Sequence, residues 1–324
     1  MNPLITLITL ALTAAACTGT TATTGSDTPS DTPTFNTDSA MAYLKAQTSF
    51  GPRIPGTTAH TDCGHYLTTT LQRHGADTII THTATATAWN GDHLPLLNIL
   101  ARFNPSDTIS PILLLAHWDT RPWADNDPDP TYSTSPIDGA NDGASGVAIL
   151  LEIARLAATH NTTAPLDILF VDGEDYGAPD GTPHSDTTWC LGTQQWLATT
   201  PYAHRPQPRY AILLDMVGGR DARFHREYIS TTYAPHIVDL VWNRAATLGL
   251  ADRFVNTTGG AVVDDHLFLN QASIPAIDII ENHNPATGSF NPTWHTHHDT
   301  YDNIDPATIA DVGTLITSLC ITTK

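Results

Sequence analysis

The chain has 324 residues, of which 33 are acidic and only 14 are Lys or Arg, so its formal net charge is −19. This balance argues against a nucleic-acid partner, because binding to phosphate backbones needs clustered positive charge. The apolar share of 40% is ordinary for a globular protein and excludes a chain that is disordered throughout.

The first sixteen residues, MNPLITLITLALTAAA, are apolar or hydroxylic and end in small residues directly before Cys17. This stretch is too short to span a membrane comfortably and has the form of an export signal. It resembles a lipoprotein signal, although it lacks Lys and Arg, and Ala14 stands where Leu is preferred. We therefore predict a signal peptide over residues 1–17, lipid attachment at Cys17 and an exported protein of the periplasm or cell envelope. A plain signal peptide cut nearby is the alternative.

Residues 18–38 are rich in Thr, Ser, Pro and Gly and contain almost no apolar side chains. Such a segment cannot offset its ordering entropy, so we predict a flexible tether. Residues 39–324 are expected to form one folded domain, acting as a monomer that meets the membrane only through the anchor. Cys63, Cys190 and Cys320 have no metal-type C-x-x-C spacing and are expected to be buried free thiols.

Short apolar runs alternate with helical patterns along this domain. The runs at 111–119, 166–175, 211–219 and 275–283 each end in a polar loop. Continuous apolar strands of this kind are typical of a sheet that is buried on both faces. Helices are predicted at 58–75, 145–160, 188–198, 235–249 and 305–321. The sequence therefore predicts an α/β fold with a mostly parallel, mixed central sheet covered by helices on both faces.

Polar residues collect where these strands end, which is the edge at which open α/β sheets bind ligands. Taken singly, each has an ordinary explanation, such as an N-cap. Carboxylates gathered at one edge would repel each other, and a divalent cation resolves that repulsion. His with Asp or Glu, and no Cys, is the donor set of catalytic zinc. We expect Asp175 to face a metal and the adjacent Glu174 to act as general acid/base. The residues at this edge are His117, Asp119, Asp142, Glu174, Asp175, Asp215, Trp294 and His295.

Six blocks in order carry a family resemblance: AHWDTRPWADND, DGANDGASG, DGEDYG, LLDMVG, VDDHLFL and WHT. In this order they resemble the zinc aminopeptidases and the animal-type glutaminyl cyclases that share their fold. The resemblance extends from FGPRIPGT (50–57) to WHTHHDTYDNID (294–305). DDH, WHT and HWDTRPWADND are similar to the cyclase branch, specifically its secreted bacterial members.

The cyclase branch implies an enzyme that converts the N-terminal glutamine of peptides and proteins to pyroglutamate and releases ammonia. It implies one zinc per chain, although animal cyclases carry Glu where this chain has Asp175. Trp189 is expected either to line the pocket or to pack in the helix that follows. The implied roles are Asp142, Asp175 and His295 as zinc ligands, Glu174 as proton shuttle, Asp215 and Asp264 as an acid network, and Trp294 and Phe290 as pocket walls.

The aminopeptidase branch is the alternative, in which His117 and Asp215 join the three ligands to hold two zinc ions. A non-catalytic scaffold is disfavoured, because binding alone does not require Glu174. Asp119 is expected to orient His117 or a ligand. Arg121, Trp118 and Trp123 are expected to pack the long loop at 118–141, and His297 and His298 to be solvated.

Overall fold

The central sheet consists of the four predicted apolar strands and a hairpin that precedes them. The computed structural model describes residues 32–179, 182 and 185–322. The predicted signal peptide, Cys17 and residues 18–31 of the predicted tether lie outside the described residues. All residues that the structure describes belong to one compact unit.

The helices and strands have the following bounds. The helices are α1 (Thr37–Thr48), α2 (Thr58–Arg73), α3 (Ser145–Thr159), α4 (Leu191–Ala198), α5 (Tyr228–Tyr233), α6 (Pro235–Thr247), α7 (Asp265–Gln271) and α8 (Pro306–Cys320). The strands are β1 (Thr78–Thr87), β2 (His93–Phe103), β3 (Ile112–His117), β4 (Asn161–Thr162), β5 (Leu166–Val171), β6 (Tyr210–Leu214), β7 (Phe224–Arg226), β8 (Phe254–Thr258), β9 (Ala276–Ile279) and β10 (Ile321–Thr322).

Six strands form the main sheet in the order β1-β2-β5-β3-β6-β9. The neighbours from β5 to β9 pair in parallel, whereas β1 with β2 and β2 with β5 pair antiparallel. This confirms the predicted mixed, mostly parallel sheet. The antiparallel hairpin was not predicted, because β1 (TIITHTATAT) is polar and largely exposed at the sheet edge.

Helices cover both faces of the sheet, as predicted. Alternate residues of each strand point to opposite faces. Leu114 of β3 belongs to the core that contains the apolar side of α3, whereas its neighbour Leu115 packs with Trp196 of α4 and Leu269 of α7. The four parallel strands are therefore buried on both sides, which explains their continuous apolar sequences.

The folded chain begins before residue 39, the predicted boundary. Helix α1 starts at Thr37, and the side chain of Asn36 caps it by accepting a hydrogen bond from the backbone N–H of Ser39. Phe35 is buried and packs so closely on α8 that a Cβ on Gly313 would lie 2.3 Å from its ring. A single aromatic anchor in a polar segment gives too weak a periodic signal for the sequence to place this boundary.

The three cysteines of the domain are buried and free, which confirms the prediction for Cys63, Cys190 and Cys320. Among the residues that the structure describes, no helix combines the length and the apolar character that crossing a bilayer requires.

Candidate active site

A cavity of about 220 Å³ opens at the carboxyl ends of the parallel strands. One wall is acidic, and the other is aromatic and aliphatic. All the predicted site residues line it except His117, which lies buried behind Asp142 and Asp215. The lining also includes residues that the sequence did not single out. Its walls are Asp142, Glu174, Asp175, Ser185, Asp186, Trp189, Asp215, Met216, Ala261, Val262, Val263, Asp264, Ile280, Phe290, Trp294 and His295.

Asp142, Asp175 and His295 form a group that fits a divalent cation. The Nε2 atom of His295 lies 3.1 Å from Asp175 Oδ1 and 3.6 Å from Asp142 Oδ2. All three side chains are buried, and neither carboxylate oxygen of Asp175 accepts a hydrogen bond. A buried carboxylate without hydrogen bonds is costly unless a cation balances its charge. The donor set of two carboxylates and one imidazole is that of catalytic zinc.

Buried carboxylates behind the site fix the loops that carry these groups. Asp119 accepts hydrogen bonds from the backbone N–H groups of Glu174 and Asp175, at 3.1 and 3.2 Å. Asp299 does the same for the N–H groups of Asn141 and Asp142, at 2.7 and 3.0 Å. Asp119 thus holds the strand end that presents Glu174 and Asp175, while its oxygen lies 3.6 Å from His117 Nδ1.

His295 adopts a left-handed backbone conformation, with φ of 53°. This region is uncommon for residues other than glycine, and such conformations concentrate at functional sites. The backbone N–H of Asn126 donates to the carbonyl of His295 at 3.1 Å. The turn that presents the imidazole is therefore held by the long loop after β3.

Asp142 also belongs to a second group of possible ligands, which includes His117 and Asp215. His117 Nε2 is 3.0 Å from Asp142 Oδ1 and 3.1 Å from Asp215 Oδ1. Burial opposes protonation of this imidazole, but Asp119, Asp142 and Asp215 together raise its pKa well above the usual value. The ligand atoms of His117, Asp142 and Asp215 lie within 4.8 Å of one another, which is the arrangement expected of a second metal position.

Glu174 is buried beside the metal-fitting group. Burial and then the nearby Asp264 carboxylate raise the pKa of Glu174 well above its usual value. The thiol of Cys190 donates to Glu174 Oε1 at 3.4 Å and lies 3.9 Å from Asp264 Oδ1. An acid in this environment can hold a proton near neutral pH and exchange it with a substrate.

A second carboxyl group stands behind Asp264. Burial and then Asp215 raise the pKa of Asp264 to about 7. This second carboxyl group belongs to Asp278 of β9, which has no predicted role. Burial and then Asp264 raise the pKa of Asp278 well above its usual value, and a carboxyl oxygen of each lies within 4.8 Å of the other. A lone acid inside the apolar run PAIDIIENH was the signal that could have identified it.

The aromatic wall is continuous with the metal-fitting group. Trp294 stacks on His295 with ring centroids 4.0 Å apart, and Phe290 lies 4.4 Å from Trp294. Trp189 is nearly parallel to His295 at 6.1 Å and lines the cavity. Since α4 begins only at Leu191, Trp189 precedes the helix instead of packing within it. Gly177 permits this position, because a Cβ there would lie 2.0 Å from the indole.

Arg121 does more than the loop packing expected from the sequence. Its guanidinium is buried, bonds both carboxylate oxygens of Asp125 and donates to the carbonyls of Asp175 and Gly177. These contacts link the long loop to the segment that follows β5. Nothing in the sequence distinguished this arginine from a surface residue.

Comparisons with known proteins agree with this arrangement. The crystal structure of Bacteroides thetaiotaomicron glutaminyl cyclase bound to N-acetylhistamine matches with a TM-score of 0.85 and 45% identity, over 89% of this chain and 98% of that chain. A structure described as a leucine aminopeptidase precursor from the same organism matches with a TM-score of 0.84 and 43% identity, over 90% and 98%.

The glutaminyl-peptide cyclotransferase of Gloydius blomhoffii is 23% identical over 245 residues, covering 68% of this chain and 63% of the relative. This chain therefore matches less than two thirds of that curated relative's length. These similarities confirm the resemblance to glutaminyl cyclases that the motifs indicated. The model of Peptidase family M28 matches residues 98–320, from β2 to the end of α8. The chain belongs to peptidase family M28.

Proposed function

We propose that this protein is a glutaminyl cyclase, which converts the N-terminal glutamine of peptides and proteins to pyroglutamate and releases ammonia. The observation that carries the proposal is the buried acid Glu174 beside the unbonded carboxylate of Asp175, at one end of an aromatic pocket. The similarity to bacterial glutaminyl cyclases supports the same assignment.

One zinc ion fits the proposal, with Asp142, Asp175 and His295 as the residues that hold it. Bound zinc supplies Lewis-acid chemistry, polarising the γ-carbonyl of the substrate. His117 Nε2 hydrogen-bonds Asp215 Oδ1 at 3.1 Å and lies 3.0 Å from Asp142 Oδ1, so this group has a hydrogen bond of its own without an ion. Neither oxygen of Asp175 makes a hydrogen bond, although its Oδ1 lies 3.1 Å from His295 Nε2. This contrast favours one ion over two.

Glu174 is the proposed proton carrier. In the reaction the α-amine nitrogen forms a bond to the γ-carbonyl carbon, and the bond from that carbon to the amide nitrogen breaks. Glu174 accepts the proton that the α-amine loses and returns it to the leaving nitrogen, which departs as ammonia. The raised pKa of Glu174 suits this exchange, since a shuttle works best when its pKa lies near the working pH.

Asp264, with Asp215 and Asp278 near it, is proposed to hold the leaving amide nitrogen. Close carboxyl groups share protons, because two adjacent charges in a buried site repel. Burial raises the pKa of Asp264 to about 7 and that of Asp215 to about 6, so Asp264 holds a proton for part of the time at neutral pH while Asp215 is mostly ionised. Such a group can both accept hydrogen bonds from the amide and donate to it.

Trp294, Phe290 and Trp189 are proposed to confine the glutamine side chain. Their rings lie next to His295 and line the cavity, whose volume of about 220 Å³ suits a small, folded side chain. Cyclisation is chiefly an orientation problem, because the nucleophile and the electrophile belong to one residue. Walls that keep the chain folded back on itself therefore contribute directly to the rate.

A dizinc aminopeptidase is the second candidate, and the group of His117, Asp142 and Asp215 is the observation that favours it. One assay separates the two. Zinc-loaded protein is incubated with a Gln-peptide and with leucine amide, while ammonia, pyroglutamyl product and zinc content are measured. We expect ammonia and pyroglutamyl peptide from the Gln-peptide, with one zinc per chain. Leucine-amide hydrolysis without cyclisation, at two zinc ions per chain, contradicts the proposal.

N-acetylhistamine offers an independent probe, since the glutaminyl cyclase named above was crystallised with it. Its imidazole nitrogen can bind zinc, so we expect it to compete with Gln-peptides.

We also propose an exported lipoprotein anchored at Cys17. Cys17→Ser is then expected to move the protein from the membrane fraction to the soluble fraction without changing its activity, and an unchanged distribution rejects the anchor.

A further inference from the structure

Arg121 lies where three parts of the site meet. Its side chain is 1% exposed. Nη1 donates to the carbonyl oxygens of Asp175 and Gly177, at 3.1 and 3.2 Å. Nε and Nη2 donate to the two carboxylate oxygens of Asp125, at 2.8 and 2.6 Å. The guanidinium therefore connects the segment that follows β5 to the long loop after β3.

Asp125 carries this connection on to His295. The Oδ1 atom that bonds Arg121 also lies 3.4 Å from His295 Nδ1, while the opposite ring nitrogen faces Asp175. A carboxylate behind a ligating imidazole fixes the ring orientation and determines which nitrogen carries the proton. Arg121 in turn fixes that carboxylate by a bidentate contact, the geometry that arginine forms best.

The flat face of Arg121 reaches the pocket wall as well. Its guanidinium carbon lies 4.8 Å from the ring centroid of Trp189 and 5.4 Å from that of Trp123. Trp189 lines the cavity, so the contact holds a wall residue in place. A guanidinium stacks on indole rings and bonds a carboxylate with its edge at the same time, whereas a lysine ammonium cannot do both.

We infer that Arg121 is a positioning residue which, together with Asp125, orients His295 and the Asp175 segment for metal binding. Arg121 does not line the cavity, so its action on the site runs through these neighbours. The inference rests on the proposed function in one respect, that Asp175 and His295 are zinc ligands.

Zinc affinity, measured by competition with a chelator of known affinity, tests this role without any substrate. Arg121→Lys keeps the charge but loses the bidentate contact and the stacking, and Asp125→Asn keeps the shape but loses the charge. We expect each to weaken zinc binding by about 10- to 100-fold, the usual cost of disturbing a ligand's supporting residue.

Arg253→Lys is the matched control. Arg253 likewise bonds a carboxylate, Asp311 at 3.0 Å, and a carbonyl, that of Ala222 at 2.8 Å, but contacts none of the site residues. Its replacement is expected to leave zinc affinity unchanged. A general loss of stability would lower the zinc affinity of the control as well. The difference in zinc affinity between Arg121→Lys and Arg253→Lys therefore reports the positioning of the zinc ligands.

The visible absorption of Co²⁺-substituted protein provides a second readout, because the band reports the geometry of the ligands. We expect the band to change in Arg121→Lys and in Asp125→Asn but not in Arg253→Lys. Should Arg121→Lys fail to fold by circular dichroism, Asp125→Asn decides the matter alone. Folded variants with wild-type zinc affinity and an unchanged Co²⁺ band overturn the inference. A wild-type protein that binds zinc but does not cyclise glutamine rejects the proposed function and leaves this test intact.

Discussion

Two carboxylate groups lie at the same pocket, one of them reaching back from Asp264 on the wall to Asp278 behind it, and their surroundings differ. The first, Asp142 and Asp175, has His295 between its members and the guanidinium of Arg121 3.7 Å from Asp175 Oδ1. The second, Asp264 and Asp278, has an acid, Asp265, as its immediate neighbour, and its atoms are buried as deeply.

Both groups bring carboxylates close together in a buried site, where their negative charges repel. The repulsion is reduced in a different way in each group. In the first, the carboxylate oxygens of Asp175 make no hydrogen bond and lie next to an imidazole nitrogen, a donor set that favours a bound cation. In the second, burial and mutual repulsion raise the pKa of Asp264 and of Asp265 to about 7, which favours bound protons. Glu174 is close to both groups, as its proposed role as proton shuttle requires.

Removing a member of the first group is expected to have the largest effect. Asp175→Ala takes away a ligand with no substitute nearby, so we predict loss of bound zinc and of detectable cyclisation. Metal analysis after dialysis and an ammonia-release assay measure both. An Asp175→Ala protein that retains one zinc and turns over Gln-peptides rules out this residue as a ligand.

Glu174→Gln tests the position between the two groups. The amide cannot carry the proton, but it has the same shape and leaves Asp175 in place. We expect one zinc per chain, an unchanged melting temperature and a kcat lowered about 10²- to 10⁴-fold, the usual contribution of general acid–base catalysis. Near-normal kcat on a Gln-peptide means that the proton follows another route.

Trp294→Ala probes the aromatic wall, which belongs to neither carboxylate group. We predict a KM about tenfold higher for Gln-peptides, equivalent to about 1.4 kcal/mol of lost binding, and a smaller change in kcat. Steady-state kinetics on zinc-loaded protein separate the two constants. If kcat falls while KM is unchanged, the ring acts on the reaction itself and not on substrate capture.

The smallest effect is expected in the pH dependence of the stability of metal-free protein, which reflects the protons held by Asp264 of the second group and by its neighbour Asp265. Asp264 and Asp265 keep protons up to a pH of about 7 when folded but release them near their ordinary value of about 4 when unfolded. Stability is therefore greatest at low pH in this window and falls as the pH rises from about 4 through about 7. We therefore expect metal-free protein to have a lower melting temperature at pH 8 than at pH 5.

Asp278→Asn sharpens that result. If Asp278 is neutral in the folded protein, a neutral amide of the same shape replaces it at little cost, and the fall in melting temperature between pH 5 and pH 8 becomes smaller. Zinc content is expected to stay at one per chain. A steeper pH dependence in this variant shows that Asp278 is charged when folded.

The sequence predicted most of the fold and the first carboxylate group. Apolar strands such as ILLLAH and LDILFV carry their own burial pattern, and parallel topology then places Glu174 and Asp175 at the ligand-binding edge. The polar edge strand β1 had no such pattern. Two features of the site could be established only from the structure: that Trp189 faces the pocket, and which groups Arg121 contacts.

The second group was harder to predict, because the role of its carboxyl groups depends on how close the fold brings residues that are distant in sequence. Asp264 came from a family motif, whereas Asp278 lies inside an apolar strand and gains significance only because the fold brings its carboxyl group within 4.8 Å of that of Asp264. Cys190 was predicted to be a buried thiol, but no spacing rule predicts that it donates to Glu174. Contacts between residues distant in sequence arise from packing, which local patterns do not encode.

Anomalous diffraction at the zinc edge, from crystals of zinc-loaded protein, tests the central claim most directly. We predict a single peak, coordinated by Asp142, Asp175 and His295, with His117 and Asp215 bonded to each other and not to metal. Two peaks, the second between His117 and Asp215, contradict the one-zinc account and point to the dizinc aminopeptidase.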